Sequence, residues 1–212
     1  MSMIAKLKTL LVSPDSANVE MGMMLMKSLE DASVAELLKP FSYVDGILYP
    51  PPIFQRNAGA YVDLLSHFSA YDEPTAEFCS TIFKLAIPVL RHDGQLKPFS
   101  ALRSLSIYRV EAGVSLLFLS SLRQLEELQL TTVMEVDNLD FVAELSNLKT
   151  LTLTNWTSLT DISALRNHPA LMSIRIVACP QLCDGTALKS IPKLQQLEVF
   201  GVPKMVVPPD FE

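Results

Sequence analysis

The C-terminal half of the chain repeats one pattern of aliphatic and polar positions with a period of 23 residues. Each copy has aliphatic residues at its first, fourth and sixth positions and a polar residue at its fifth. Side chains two positions apart lie on the same face of a strand, so each copy predicts a short strand with one buried face. The fifteen aliphatic residues, called the buried ladder below, are Leu102, Leu105, Ile107, Leu125, Leu128, Leu130, Leu148, Leu151, Leu153, Leu171, Ile174, Ile176, Leu194, Leu197 and Val199.

A second aliphatic series lies between the predicted strands, with a spacing of three residues. It reads Val136, Leu139, Val142 in the second copy, and the third copy repeats it from Leu159. This spacing suits a short helical or 3₁₀ segment that returns the chain to the start of the next strand. A single strand with its return cannot bury its own apolar edge, so the copies are expected to stack into a solenoid.

The segments "LKTLTLTNWTSL" and "LQQLEVFGVPKM" match the L-x-x-L-x-L core of the leucine-rich repeat family, which this half of the chain resembles. "LTDISAL" is similar to the back segment of bacterial repeats of the internalin type. The resemblance implies an α/β fold, a leucine-rich repeat solenoid whose short parallel sheet has one strand per repeat. It covers residues 102 to about 207.

The chain departs from the family pattern in the turn after each strand, where the family usually has Asn or Cys. Only Cys179 fits, and the other copies have large apolar residues there. Packing is therefore expected to hold these turns, and Trp156 should be shielded from solvent. The turn residues are Val110, Val133, Trp156, Cys179 and Val202.

The N-terminal half has no such repeat, and its apolar residues have helical spacing. One helix is predicted to begin just after Ser13, which would be its N-cap. Two more helices are predicted, over residues 58–68 and over residues 75–86. An exposed first strand would leave an open sheet edge. We therefore expect residues 1–95 to form a helical capping region and residues 96–212 to form the solenoid, with about five repeats.

Three segments of this half have two interpretations each. The methionines of "VEMGMMLMKSL" indicate core filling more than an adaptable binding groove. Asp45-Gly46 suits a small hairpin, and the prolines 50–52 indicate a rigid loop more than a polyproline docking peptide. Residues 83–89 end the last predicted helix, or they form an irregular leading repeat.

Composition and charge restrict the class of partner. The 17 Lys and Arg residues are outnumbered by 23 Asp and Glu residues, and no basic stripe stands out, which argues against nucleic acid. No run of 18 apolar residues suggests a membrane span. The 3 widely placed cysteines and the absence of an export signal favour reduced thiols and a cytoplasmic location.

Sequence motifs give no sign of catalysis, so we expect no enzyme activity and no cofactor. Cys179 and Cys183 have no second pair that would complete a zinc site, and no metal is expected. His168 stands where other copies have Leu or Ile, which indicates a buried structural histidine. A catalytic site near Asp63 and His67 in the helical half remains an alternative, since catalytic groups often meet only in space.

In leucine-rich repeat proteins the side chains between the ladder positions face outward on a concave sheet that commonly binds proteins. Five strands about 4.8 Å apart span roughly 20 Å, which is room for a peptide or a small domain. We interpret the chain as a non-catalytic, bacterial protein-binding module. Each outward residue taken alone is also consistent with a merely solvated strand position. The candidate binding residues are Tyr108, Gln129, Thr152, Arg175, Glu198 and Phe200.

A second alternative is a scaffolding protein that forms a homodimer through its last repeat. The segment "VPKMVVPPDFE" is a short cover for the end of a solenoid. An uncovered end would offer a free strand edge to another copy.

Overall fold

The computed structural model describes residues 2–29 and 32–205. The chain forms two compact units. One comprises Met1–Ile87 with Gly94–Ala101, and the other comprises Pro88–Asp93 with Leu102–Glu212.

The first unit is mainly helical and carries one small hairpin. Its helices are α1 (Met3–Leu11), α2 (Ser16–Leu29), α3 (Ala32–Ala35), α4 (Ala58–Phe68) and α5 (Glu73–Thr81), with short 3₁₀ segments at Glu36–Leu38 and Pro52–Phe54. Its strands are β1 (Tyr43–Val44), β2 (Ile47–Leu48) and β3 (Lys84–Ile87).

The predicted hairpin and the helix over residues 58–68 are confirmed. β1 pairs with β2 in antiparallel register, and Asp45 and Gly46 between them both have positive φ. Two residues with positive φ are what a two-residue hairpin turn with the right-handed strand twist requires. The methionine prediction is confirmed in part: Met23 and Met26 are buried in the core of this unit, whereas Met21 and Met24 are exposed.

The prediction of a helix over residues 75–86 was wrong at both ends. α5 begins earlier, because the Asp72 carboxylate accepts a hydrogen bond from the Thr75 backbone N–H and caps the helix. It ends at Thr81, and the chain then alternates between buried and exposed side chains in β3. Tertiary burial of Leu85 and Ile87 favours the strand period over the helical one.

One further helix begins at a different residue from the predicted one, and another helix was not predicted. α2 begins at Ser16, because the Asp15 side chain, rather than that of Ser13, accepts a hydrogen bond from a backbone N–H of its first turn. α1 was not predicted. The Ser2 hydroxyl caps it by accepting a hydrogen bond from the Ala5 N–H at 3.2 Å.

The second unit is a solenoid, and the predicted fold class is confirmed. Its parallel strands are β4 (Ser104–Ile107), β5 (Glu127–Val133), β6 (Thr150–Trp156), β7 (Ser173–Val177) and β8 (Gln196–Phe200), and they pair in chain order. The predicted returns are 3₁₀ segments, at Leu117–Ser121, Asp140–Glu144, Ser163–Leu165 and Thr186–Ser190. Every Cα pair between neighbouring strands joins a residue to the one 23 positions later, as with Leu128 and Leu151.

The buried ladder fills the interior of the first four repeats. From Leu102 to Ile176 all twelve of its residues are 1% exposed or less. In the last repeat Leu194, Leu197 and Val199 are only half-buried. Among the described residues, no further strand lies on the other side of β8.

Apolar packing holds the turns after the strands, as the sequence predicted. Val110, Val133, Trp156, Cys179 and Val202 are all buried, and Leu90 extends this row through a bridge to Val110. The preceding residue of the last four turns has positive φ; these residues are Thr132, Asn155, Ala178 and Gly201. The left-handed backbone at these positions changes the chain direction just before each buried turn residue.

Trp156 is fully buried, as expected, and its indole N–H has a hydrogen-bond partner. The indole Nε1–H donates a hydrogen bond to the Val136 carbonyl oxygen at 2.6 Å. Ser158 Oγ donates to the same oxygen at 2.6 Å. A buried indole normally needs such a partner.

A row of small polar residues starts the 3₁₀ returns. The side chains of Ser115, Asn138, Asp161 and Asp184 each accept a hydrogen bond from the backbone N–H two residues later. These four residues are 23 positions apart. The sequence carried this signal, but only the hydrogen bonds identify it as a row of turn caps.

His168 is buried, and its hydrogen bonds define one neutral tautomer. Its Nε2 lies 3.1 Å from the Leu145 carbonyl oxygen, so it must donate there. Its Nδ1 accepts from the N–H groups of Ala170 and Leu171. Burial lowers the pKa of His168 below its ordinary value of 6.5.

A pH dependence of stability follows from His168. Because its pKa is lower in the folded than in the unfolded chain, stability is fully present above pH 6.5 and falls as the pH drops from there towards the folded-state pKa. We expect His168→Leu to reduce this loss, measured as the difference between urea midpoints at pH 8 and at lower pH. An unchanged difference would assign the acid sensitivity to other groups.

Candidate functional site

The side chains that lie between the buried-ladder positions form one continuous surface on the outer side of β4 to β8, here called the open sheet face. Its central row places Gln129, Thr152, Arg175 and Glu198 beside one another, in the register of the sheet. A second row runs through Thr131, Thr154, Val177 and Phe200. Tyr108 directly follows β4. The sheet therefore brings five of the six candidate residues into adjacent rows and places Tyr108 at the end of its first strand.

The six candidate residues differ in how much they project. Tyr108 is 52% exposed and Phe200 is 76% exposed, so both aromatic side chains project into solvent. Arg175 and Glu198 are also exposed, whereas Gln129 and Thr152 in the middle of the sheet are half-buried. The face thus offers one aromatic side chain just after β4, another on β8, and a mainly polar centre.

Charges on the open sheet face are paired across neighbouring strands. An Arg175 guanidinium nitrogen lies 3.3 Å from a Glu198 carboxylate oxygen, and both side chains are more than half exposed. Ser104 Oγ donates a hydrogen bond to the Glu127 carboxylate at 2.9 Å. Exposed pairs of this kind stabilise the fold little, because water screens them. They leave both groups available to a ligand.

A flanking row of charges borders the open sheet face. Lys149 Nζ lies 2.5 Å from the Glu126 carboxylate. The hydrogen bond from Lys149 lowers the pKa of Glu126, and the Coulombic attraction of the same ammonium group adds to this effect. Met172 in the same row is partly exposed. The sequence pattern did not single out these residues, since they precede the strands.

The helical unit contains the charged cluster that motivated the enzyme alternative. Asp63 is buried and its carboxylate lies 2.8 Å from Lys27 Nζ, while His67 Nε2 lies 3.2 Å from the Lys27 carbonyl oxygen. A buried carboxylate needs a charged partner such as Lys27, because the attraction between the two offsets the cost of removing the carboxylate from water. The geometry therefore explains Asp63 as a structural group that ties α2 to α4.

A cleft of about 460 Å³ in the same unit was not expected from the sequence. It lies between the end of α1, the segment 36–39 and residues 51–53, and it includes Lys8 and Lys39. Lys39 is already engaged by Glu36 at 2.7 Å and by Asp72 at 3.8 Å. Neither Asp63 nor His67 lines the cleft.

No group of three or more His, Cys, Asp or Glu side chains in residues 2–29 and 32–205 is arranged to hold a metal ion. Within the same ranges, no helix has the length and apolarity needed to cross a bilayer. The three cysteines are free, with Cys79 and Cys179 buried and Cys183 exposed, and burial raises the pKa of Cys79 to about 12.

Comparison with known proteins gives a likeness of fold. No protein-family model matches the chain, and no curated protein matches it by sequence. Among solved structures, an internalin from Listeria monocytogenes aligns with a TM-score of 0.54 at 23% sequence identity. The alignment covers 73% of this chain and 46% of the internalin, so the chain spans less than half of that protein's length. Together with one parallel strand for each 23-residue repeat, this likeness shows that the C-terminal unit has the leucine-rich repeat fold.

Proposed function

We propose that the chain is a non-catalytic protein-binding module that binds a peptide or a small protein patch on its open sheet face. One observation carries the proposal. Exposed Tyr108, Arg175 and Phe200 lie on one rigid parallel sheet, and Tyr and Arg are among the residue types that contribute most to protein interfaces.

Rigidity of the supporting sheet favours this surface for binding. The ladder residues beneath its first four strands are fully buried, so their backbones are held by packing and by the continuous hydrogen-bond ladder. A preorganised surface loses less conformational entropy on binding than a mobile loop does. A bacterial cytoplasmic location is part of the proposal, and the three free cysteines support it.

We expect the double substitution Tyr108→Ala and Arg175→Ala to weaken partner binding by at least about tenfold, because both side chains would be interface anchors. Unfolding stability should change by about 0.5 kcal/mol or less per site, since both side chains project into solvent. Proteins captured from an extract of the source cells by the full chain would be compared between wild type and variant.

The matched control is the double substitution Leu117→Ala and Arg166→Ala. It removes one exposed apolar side chain and one exposed arginine from the 3₁₀ returns instead of the sheet. A partner that the control retains and the sheet variant loses supports the proposal. If both variants retain every partner, the open sheet face is not the binding surface.

A second candidate function is self-association through the last repeat. One observation favours it: Leu194, Leu197 and Val199 are half-buried, whereas the corresponding residues of the first four repeats are fully buried. The sequence suggested residues 202–212 as a short cover, and of these residues 206–212 lie outside the described part of the chain.

A further inference from the structure

We propose that two copies of this chain pair edge to edge through β8 in antiparallel register, about a two-fold axis at Glu198. The proposal deepens the self-association candidate and rests on it. It concerns the edge of β8 rather than the open sheet face, although Arg175 and Glu198 belong to both.

The free backbone groups of β8 follow from its hydrogen bonds to β7. Gln196 donates its N–H to the Met172 carbonyl oxygen, and Phe200 accepts a hydrogen bond from the Ala178 N–H. Backbone groups of successive strand residues point to opposite edges. Residues 196, 198 and 200 therefore face β7, whereas the N–H and C=O groups of Leu197 and Val199 face the free edge.

β8 itself carries no Lys, Pro or bulge, and its protection against strand pairing is limited to its short length and the charge on Glu198. Exposed edges are commonly protected by Lys, by Pro or by a bulge. The strand reads Gln-Leu-Glu-Val-Phe and contains neither Lys nor Pro, and its pairing with β7 is regular over all five residues. Its one charge, on Glu198, is balanced by Arg175 at 3.3 Å.

Self-complementarity identifies the second copy as the occupant. With the two-fold axis at Glu198, Leu197 of each copy lies opposite Val199 of the other, and each such pair exchanges two backbone hydrogen bonds. All four outward-facing residues are thus satisfied by four hydrogen bonds. The half-buried side chains of Leu197 and Val199 from both copies come together on the ladder side of the joined sheet.

The charged side chains next to the two paired β8 strands make the register of the dimer testable. The central row of the joined sheet reads Arg175, Glu198, Glu198 and Arg175, which is neutral overall. The two carboxylates are directly opposite, and like charges in this position are unfavourable by themselves. Each arginine offsets this repulsion, so removing the arginine and removing the carboxylate should have opposite effects.

Sedimentation of the full chain at neutral pH, at concentrations up to about 1 mM, tests the proposal. We expect a reversible dimer. Val199→Pro should weaken it by on the order of tenfold or more, because it removes an outward N–H from each copy. Val199→Ala is the matched control, since it also shortens the side chain but keeps the N–H, and it should weaken the dimer less.

Two charge variants test the register, and they decide the matter should Val199→Pro not fold. Glu198→Gln should strengthen the dimer and Arg175→Gln should weaken it, each by up to about fivefold. Effects of the same sign would exclude an axis at Glu198.

The outcomes distinguish self-association in general from dimerisation through β8. A wild-type chain that stays monomeric rejects self-association altogether, and slow hydrogen exchange at the Leu197 and Val199 amides would then show that the chain covers its own edge. A dimer that Val199→Pro does not weaken more than Val199→Ala rejects the β8 seam and assigns the interface to another surface.

Discussion

Trp156→Ala is expected to lower the free energy of unfolding by about 3–5 kcal/mol, the usual cost of removing a large buried aromatic side chain. Trp156 is fully buried at the end of β6 and lies in register with Val133. Trp156 stands at the position where the leucine-rich repeat pattern usually has Asn or Cys. Urea denaturation followed by circular dichroism measures the change, because the chain has only 1 tryptophan for fluorescence.

Trp156→Phe is the control that separates volume from hydrogen bonding. It keeps most of the apolar volume but loses the bond to the Val136 carbonyl oxygen, which still accepts from Ser158. Loss of a hydrogen bond typically costs about 0.5–1.5 kcal/mol. An equal loss of unfolding free energy in the Trp156→Phe and Trp156→Ala variants would contradict the view that the indole holds this turn by packing.

Leu151→Ala is expected to cost about 2–5 kcal/mol, because it leaves a cavity under the central strand of the solenoid. Leu151 is fully buried between Leu128 and Ile174 in the sheet register. Chemical denaturation of the wild-type and variant chains at the same low concentration gives the difference.

The matched substitution is Leu197→Ala at the equivalent position of the last repeat. Leu197 is half-buried, so less apolar surface is lost and the cost should be clearly smaller. If Leu197→Ala cost as much as Leu151→Ala, the last repeat would be as fully packed as the third, contrary to the structure.

The sequence by itself determined the repeat architecture, the buried ladder and the returns between strands. A pattern that recurs every 23 residues leaves one way to bury every copy, which is to stack the copies in register. Its period of two then fixes which side chains face outward. For this reason the rows through Arg175 and Thr152 could be assigned without coordinates. The hairpin at Asp45-Gly46 could also be predicted from the sequence, because it depends only on two neighbouring residues that tolerate positive φ.

Other features depend on contacts between residues that are distant in the chain, and only the tertiary structure decided them. Residues 84–87 form a strand rather than the end of α5, because burial of alternate side chains outweighs local helical preference. The exposure of Phe200, the half-burial of Thr152 and the ion pair between Arg175 and Glu198 all depend on the neighbouring strand. Local propensity decides conformation where a single segment satisfies its own hydrogen bonds. Packing decides it where the partner is supplied by another part of the fold.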